Sequence, residues 1–427
     1  KLGKSIAWGA IARGVSVVAN FVFSILLARA LGPLGKGQYA LIQQFIGILA
    51  IVLNLGLPTS NVYFVAKKKI SPQTAFANSI VLMLPMTLIS IAVTLIFLIS
   101  PFRGQLSYSL PLFVASVVLF VTTMLFGWIN AVLIGEHGLK PQGIATVVQS
   151  AVLVIGTALV ALFGTVRVVD MLFLAALSQA AGIMVLWFFD PHVTSVRAWS
   201  WPDFKMMVRY SFKAYFIDLA NFLHLRQDIL ILGWLSTSTQ VGLYSVAVSF
   251  AEVVRYIPVI IGSAFFAEIS GYPEREQELR TAVLSRLNVL LNIVIVVLYI
   301  VALPVVVPLL FGKAFNASLA LTFCLLPGAI ATSIAEIPGT LLFAREILYW
   351  RLSSVMVLLN IVINIVAIPK YGALGAAFAS SVTYMCYSLV IVMKTRNGTG
   401  LSLSAMLVPQ KGDIEILLNK LRRKILS

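Results

Sequence analysis

The sequence predicts an all-α polytopic membrane protein, and three observations carry that prediction. Apolar residues make up 60% of the 427 positions, charged residues only 11%, and mean hydropathy is +1.00. A soluble domain sits near half apolar and a quarter charged. Apolar runs of about twenty residues recur along the chain, the length a helix needs to cross hydrocarbon. Basic residues collect in alternate connections between those runs. A transmembrane β-barrel is excluded, because its strands would alternate apolar and polar residues over about ten positions.

Twelve transmembrane helices can be drawn, at 8–28, 39–64, 76–100, 110–134, 142–163, 169–189, 210–234, 241–266, 284–311, 317–343, 351–369 and 373–393. With both termini inside, the inner connections hold Lys67, Lys68, Lys69, Lys140, Lys205, Arg209, Arg275, Arg280, Arg286 and Arg351, and the tail adds more. The outer ones hold only Arg29, Lys36, Arg103, Arg167, Lys313 and Lys370. That asymmetry places both ends in the cytoplasm. It also accounts for the net charge of +16 without nucleic acid. The first apolar run is too long for a signal core, so no cleavable signal is expected, and the absence of an initiator Met suggests missing N-terminal residues. Cys324 and Cys386 lie in apolar helices, which suits packing and indicates neither disulfide nor metal.

Span one carries Arg13, Ser16, Asn20 and Ser24 on one face. Leu31-Gly32-Pro33 turns the chain into span two, which breaks at Gly56-Leu57-Pro58-Thr59. In spans three to six, isolated amides such as Asn130, Gln149 and Gln179 read as glue between helices. Trp201-Pro202-Asp203 starts a helix, taken as a short interfacial element in a linker over 190–209. Domains are then 1–189, the linker, 210–393 and a tail over 394–427. The loop 268–286 is read as solvated, and 413–427 as a basic amphipathic helix on the inner leaflet.

Spans seven and eight are the most charged, with Lys213, Asp218, Arg226, Asp228, Glu252 and Arg255. A charge at mid-membrane costs about 3 to 17 kcal/mol, so such residues face protein or a polar cavity. At about 100° per residue, Lys213, Asn221, His224, Gln227 and Asp228 share one arc, with Asp218 at its margin and Arg226 off it. Glu252 and Arg255 are one turn apart, either a neutralised pair or a functional one. The chain also repeats weakly. Gly37-Gln38-Tyr39-Ala40 matches Gly242-Leu243-Tyr244-Ser245, and Phe163-Gly164 matches Tyr371-Gly372, at offsets of 205 and 208 residues. A six-plus-six repeat around a central path is a transporter architecture.

Three segments carry a family resemblance: Leu27 to Leu41 (LARALGPLGKGQYAL), Arg226 to Glu252 (RQDILILGWLSTSTQVGLYSVAVSFAE) and Leu358 to Ser380 (LLNIVINIVAIPKYGALGAAFAS). They resemble the helix 1–2, 7–8 and 11–12 regions of Wzx-type polysaccharide flippases. That family belongs to the multidrug/oligosaccharidyl-lipid/polysaccharide exporter superfamily. The resemblance implies a MATE-like fold of two pseudo-symmetric six-helix lobes around a cavity. It implies movement of undecaprenyl-diphosphate-linked oligosaccharide (O-antigen, capsule or exopolysaccharide units) from the inner to the outer leaflet of a bacterial cytoplasmic membrane. Glycan polymerase and glycosyltransferases would be pathway partners, the protein a monomer, and no cofactor is called for.

Such a diphosphate must be desolvated in transit, which fixed cations offset. Candidate substrate-binding residues are Arg13, Asn20, Lys213, Asn221, His224, Arg226 and Arg255. Asp218, Asp228, Glu252 and Glu336 are the acids placed within spans and the candidate coupling-ion sites. Bland roles stand beside these: Lys213 and Glu336 can snorkel or pair, and His224 can be a packing residue. Two other functions remain, a drug or cation antiporter and a lipid II flippase of the same superfamily. A membrane polymerase is disfavoured, since the outer loops are short and lack paired carboxylates.

Overall fold

A computed structural model describes residues 2–99, 109–269, 271–344, 350–410 and 412–413. Among the described residues there is no strand. The helices are α1 (Leu2–Leu53), α2 (Leu57–Ala66), α3 (Pro72–Ile80), α4 (Met83–Ile99), α5 (Leu110–His137), α6 (Leu139–Phe163) and α7 (Val168–Phe189). They continue with α8 (Trp201–Leu235), α9 (Ser238–Ile269), α10 (Glu274–Leu310), α11 (Ser318–Ala344), α12 (Trp350–Tyr371), α13 (Ala373–Thr399) and the short α14 (Leu403–Leu407). Ten stretches among the described residues are long and apolar enough to cross a membrane, so the chain is a multi-pass membrane protein. α8 is not among the ten, because Asp218, His224, Arg226, Gln227 and Asp228 make it too polar.

The first of the ten, Gly14–Leu53, is 40 residues long, about 60 Å if straight and twice the depth of a bilayer. It is not straight. Gly32 sits at φ 64°, ψ −176°, followed by Pro33, a left-handed residue and one without an N–H, which together break a helix. Lys36 Nζ donates to Ser24 Oγ at 2.7 Å, and the rings of Phe23 and Tyr39 pack edge to face at 5.8 Å. In a straight helix residues 24 and 36 would be about 18 Å apart. The chain therefore doubles back at Gly32, and α1 is a hairpin of two crossing-length limbs. This corrects the placement of Lys36 in a solvated outer loop. A turn without a loop carries it inward, where it is 5% exposed and paired with a residue of the opposite limb.

The described chain forms two compact units, Lys1–Ser245 with Ile368–Ala373, and Val246–Ala367 with Leu374–Ser427. In the first, α5 is the central helix. Its Phe120, Met124, Trp128 and Val132 recur every fourth residue and are buried against neighbouring helices. Gln149 Nε2 donates to Gln179 Oε1 at 2.7 Å, joining α6 to α7 as isolated amides were expected to do. The predicted break in span two is present: Asn54 Oδ1 accepts from Gly56 N at 2.7 Å, Gly56 takes φ 71°, and α2 restarts at Leu57. The start at Trp201 is capped as read, with the Ser200 hydroxyl accepting from Asp203 N. The helix that begins there is not a separate short element, however, and runs unbroken to Leu235.

In the second unit small residues bring α11 and α13 together. A Cβ on Gly328 would lie 2.6 Å from Ser381 Cα, and Gly328 N donates to Ser381 Oγ at 3.0 Å. Asn360 and Asn364 of α12 form a buried chain, Asn364 to Asn360 at 2.7 Å and Asn360 to Thr383 of α13 at 3.1 Å.

The loop expected over 268–286 is helical from Glu274, and Arg286 is buried rather than solvated. Its Nε and Nη2 reach Asp413 Oδ2 and Oδ1 at 2.7 and 2.8 Å, and Nη1 donates to Ala405 O at 2.7 Å. Gln410 N also donates to Asp413 at 2.8 Å, and Met406 is fully buried among Ala335, Leu342, Ile391 and Val392. The segment after α13 is thus strapped to α10. Of the amphipathic helix read over 413–427, residues 414–427 lie outside the described residues.

The Arg286 hydrogen bonds hold the Asp413 carboxyl below the ordinary carboxylate range, against the opposing effect of burial. A carboxyl depressed on folding contributes stability that is complete above its unfolded pKa and is lost as pH falls through the folded one. Asp413→Asn leaves Arg286 buried without a counter-charge, a loss of about 3–5 kcal/mol by precedent for broken buried pairs. The variant should melt several degrees lower in detergent at neutral pH, and the difference from wild type should shrink in acid. Equal melting curves at neutral pH would refute a stabilising strap.

Candidate functional site

Functional side chains expected from the sequence fall into two groups, one in each unit. In the first, α8 packs against the second limb of α1 and against α2. Gly47 faces Phe222, Gly233 faces Leu41, and Gly56 faces Tyr215 and Ser211. Tyr215 Oη donates to Val52 O at 3.3 Å. This packing divides the polar arc of α8. Asp218 and Asn221, toward its first half, are exposed, and Asp218 accepts from Thr59 Oγ1 of α2 at 3.2 Å. His224, Gln227 and Asp228, one and two turns on, are 7%, 6% and 3% exposed. Tyr244 Oη of α9 donates a short hydrogen bond to Asp228 Oδ2, while Asp228 Oδ1 accepts from Ile229 N. Asp228 is therefore tied into the α8–α9 hairpin. Arg226 is half-buried. On α1, Asn20 is exposed and donates to Ser16 O and Oγ at 2.8 and 3.1 Å. The side chains of Arg13 and Lys213 lie outside the described ones.

In the second unit Glu252, Arg255 and Tyr256 share α9, with Tyr256 Oη 3.5 Å from Glu252 Oε2. Arg255 is half-buried, and its Nε has no hydrogen-bond partner among the described residues. Tyr387 of α13 bonds the Ser353 hydroxyl of α12 and lies within electrostatic reach of both Glu336 of α11 and Arg255. Glu336 flanks Gly262, where a Cβ would sit 3.4 Å from its Cγ. Four helices thus converge on an Arg–Glu–Tyr cluster. A guanidinium with an unfilled donor, one helical turn from a carboxylate and within electrostatic reach of a phenol, is equipped to bind an anion.

Thr59, Tyr244, Tyr256, Ser353 and Tyr387 were not anticipated as members. Of these only Tyr244 carried a signal, its place in the repeated Gly-x-Tyr. Elsewhere, Glu136, His137 and Asp190 bring one ligand atom each within 4.8 Å of one another where α5 and α7 end. Glu136 and His137 are exposed and 3.6 Å apart, as an ordinary surface ion pair is.

Comparison with known proteins follows the same lines. A family model described as polysaccharide biosynthesis protein matches residues 2–270. The probable low-salt glycan biosynthesis flippase Agl15 of Haloferax volcanii is 22% identical over 380 residues, covering 86% of this chain and 77% of the relative. Among solved structures, a multidrug resistance MATE family transporter of the MOP superfamily in an inward-facing conformation superposes with a TM-score of 0.70. It is 14% identical over 90% of this chain and 94% of its own. The lipid II flippase MurJ, inward closed, gives 0.69 at 14% identity, over 91% of this chain and 87% of its own. At these identities the likeness is one of fold: the chain has the MATE-like helical architecture expected from the sequence.

Tyr244→Phe removes the phenol donor from a buried carboxylate while keeping the ring. Leaving such a group short of a donor costs about 1–3 kcal/mol, so the variant should melt measurably lower in a detergent thermal-shift assay. Tyr39→Phe, whose hydroxyl has no partner among the described residues, should be near neutral. The reverse order would count against the Tyr244–Asp228 bond as a stabilising link.

Proposed function

We propose that this chain, which belongs to the polysaccharide biosynthesis protein family, is a flippase for a lipid-linked glycan. The substrate class is an oligosaccharide on a polyprenyl diphosphate such as undecaprenyl diphosphate, moved from the inner to the outer leaflet of the cytoplasmic membrane by alternating access. Counting α1 as two crossings and α8 as one gives twelve, with both termini inside. The observation that carries the reading is α8. Among otherwise apolar helices it keeps Asp218 and Asn221 exposed and His224, Arg226, Gln227 and Asp228 beside them. Such a helix is costly against lipid and reasonable along a hydrated path.

The work divides by charge. Arg226 and Arg255, with Arg13 and Lys213, meet the diphosphate. Arg255 is best suited, because a guanidinium stays charged when buried and its fork matches phosphate oxygens. Asn20, Asn221 and His224 offer neutral hydrogen bonds along the way. Asp228, Glu252, Glu336 and the more exposed Asp218 are the groups through which a proton or cation gradient acts. A drug or cation antiporter is the second reading, supported by the MATE likeness. An anionic substrate fits better the cations placed among those acids.

Arg255→Ala should abolish glycan export while the protein still accumulates in the membrane. Undiminished export would remove Arg255 from the mechanism. Asp228→Asn or Glu252→Gln should change the dependence of transport on an imposed proton or sodium gradient in proteoliposomes. Transport of a cationic dye with no movement of lipid-linked glycan would favour the antiporter instead.

A further inference from the structure

Two tyrosines from different helices stack where the polar face of α8 reaches its inner end. Tyr63 of α2 and Tyr210 of α8 lie with ring centroids 4.3 Å apart and planes at 18°. Phe64 meets Tyr210 edge to face at 5.2 Å. Further along the same two helices, Thr59 of α2 donates to Asp218 of α8 at 3.2 Å, so α2 and α8 run antiparallel here with matched faces. On a helical wheel Tyr210, Asp218 and Asn221 fall within about 80° of one another, and Phe212 and Phe216 lie about 120° or more from all three. Those two phenylalanines are exposed and pack on each other at 5.0 Å, on the apolar side of α8, as lipid-facing rings do. Tyr210 is on the polar side and is 41% exposed, which sets it apart from an interfacial aromatic belt.

A strained turn brings a cation to the pair. α2 ends in a Schellman arrangement, with Lys68 N donating to Val65 O and Lys69 N to Phe64 O, both at 2.9 Å. The left-handed position of that motif is usually glycine, but here it is Lys68, at φ 53°. The turn carries Lys69 back over the helix end, where Nζ lies 5.7 Å from the centroid of Tyr63, within cation–π range. Lys67, Lys68, Lys69, Lys205 and Arg209 are all exposed, and all lie on the inner side in the twelve-span topology. The surface therefore combines an aromatic stack with a rim of positive charge.

We infer that the Tyr63–Tyr210 stack, with Lys69, is a docking platform on the inner side for the sugar diphosphate of a lipid-linked glycan. This rests on the flippase reading above and adds to it a site that recognises the sugar ring. The face of an aromatic ring is electron-rich, and the C–H groups on one side of a pyranose are weakly positive. A sugar ring therefore stacks on a tyrosine while its hydroxyls stay in water. A lysine beside the stack supplies a point charge for phosphate oxygens. Stacking reads the face of the ring rather than its substituents, so the platform suits different glycans. Because Tyr210 shares a face with Asp218 and Asn221, a headgroup docked there already lies at the start of the polar arc of α8.

The test measures binding to full-length protein in nanodiscs with three probes: undecaprenyl diphosphate carrying one N-acetylglucosamine, undecaprenyl diphosphate without sugar, and phosphatidylglycerol. Wild type should bind the sugar-bearing lipid several-fold more tightly than the sugarless one. Tyr210→Leu should erase that preference and leave the sugarless lipid bound as before, whereas Tyr210→Phe and the opposite-face control Phe216→Leu should keep it. Lys69→Gln should weaken both diphosphates several-fold. An undiminished preference in Tyr210→Leu would overturn the platform, as would competition by phosphatidylglycerol at equal concentration, which would make the surface an ordinary phospholipid contact. Should Tyr210→Leu fail to accumulate, Tyr210→Trp decides: a fluorescence change, relative to wild type, on adding the sugar-bearing lipid but not the sugarless one supports the platform, and no difference between the two overturns it. Wild type that binds neither diphosphate would sink the flippase reading as well, whereas a preference that survives Tyr210→Leu sinks the platform alone.

Discussion

Hydrocarbon offers neither hydrogen-bond partners nor solvation for charge, so a polar group carried into a span must be answered by another part of the chain or by what passes through it. Most such groups here are answered internally. Gln149 meets Gln179, Asn360 meets Asn364 and Thr383, Asn288 reaches Ser333 O at 2.6 Å, and Lys36 is held by Ser24. These are closed pairs and chains that specify which helix packs on which. A smaller set is exposed as well as partnered, Asp218 and Asn221 on α8 and Asn20 on α1, and Arg255 on α9 keeps an Nε with no hydrogen-bond partner among the described residues. The second set holds residues that the proposed function assigns to a polar cargo.

How far the sequence could be read follows from the range of each signal. Helices and their ends depend on local residues, so the apolar runs, the Gly32-Pro33 turn, the break at Gly56 and the capped start at Trp201 were all legible. Depth and partnership depend on residues far away in the chain. Lys36 looked like a loop residue because nothing in its neighbourhood shows that the turn at Gly32 has no loop. Arg286 looked solvated among mixed charges, because its partner Asp413 lies 127 residues on. The polar arc of α8 was visible as a face, but a helical wheel cannot tell which part of a face is covered. Packing against α1 and α9 buries His224, Gln227 and Asp228 and leaves Asp218 and Asn221 open.

The repeat is the opposite case, weak as a string and strong as geometry. Four-residue matches such as Gly37-Gln38-Tyr39-Ala40 and Gly242-Leu243-Tyr244-Ser245 recur by chance in apolar chains. What makes them meaningful is that their glycines touch, each against the other's preceding turn. Selection for close backbone approach acts on few positions and leaves the rest of a lipid-facing helix free to drift among Leu, Ile, Val and Phe. A shared fold can therefore outlast shared sequence, as the 14% identity to MATE and MurJ structures over about nine-tenths of the chain illustrates.

Symmetry of shape is not matched by symmetry of chemistry. At equivalent places the first repeat sets Phe23 against Tyr39 and the second sets Asp228 against Tyr244. An aromatic pair is indifferent to protons and ions, whereas a carboxylate hydrogen-bonded to a phenol is not. A ligand or ion shifts a conformational equilibrium only through differential affinity for the two states. Two identical halves could share a motion, yet both would respond alike to a gradient. Of these two equivalent contacts, only the one in the α8–α9 hairpin contains a carboxylate. α8 also carries Asp218, Asn221, His224 and Arg226, so the residues proposed for coupling and for cargo share one element.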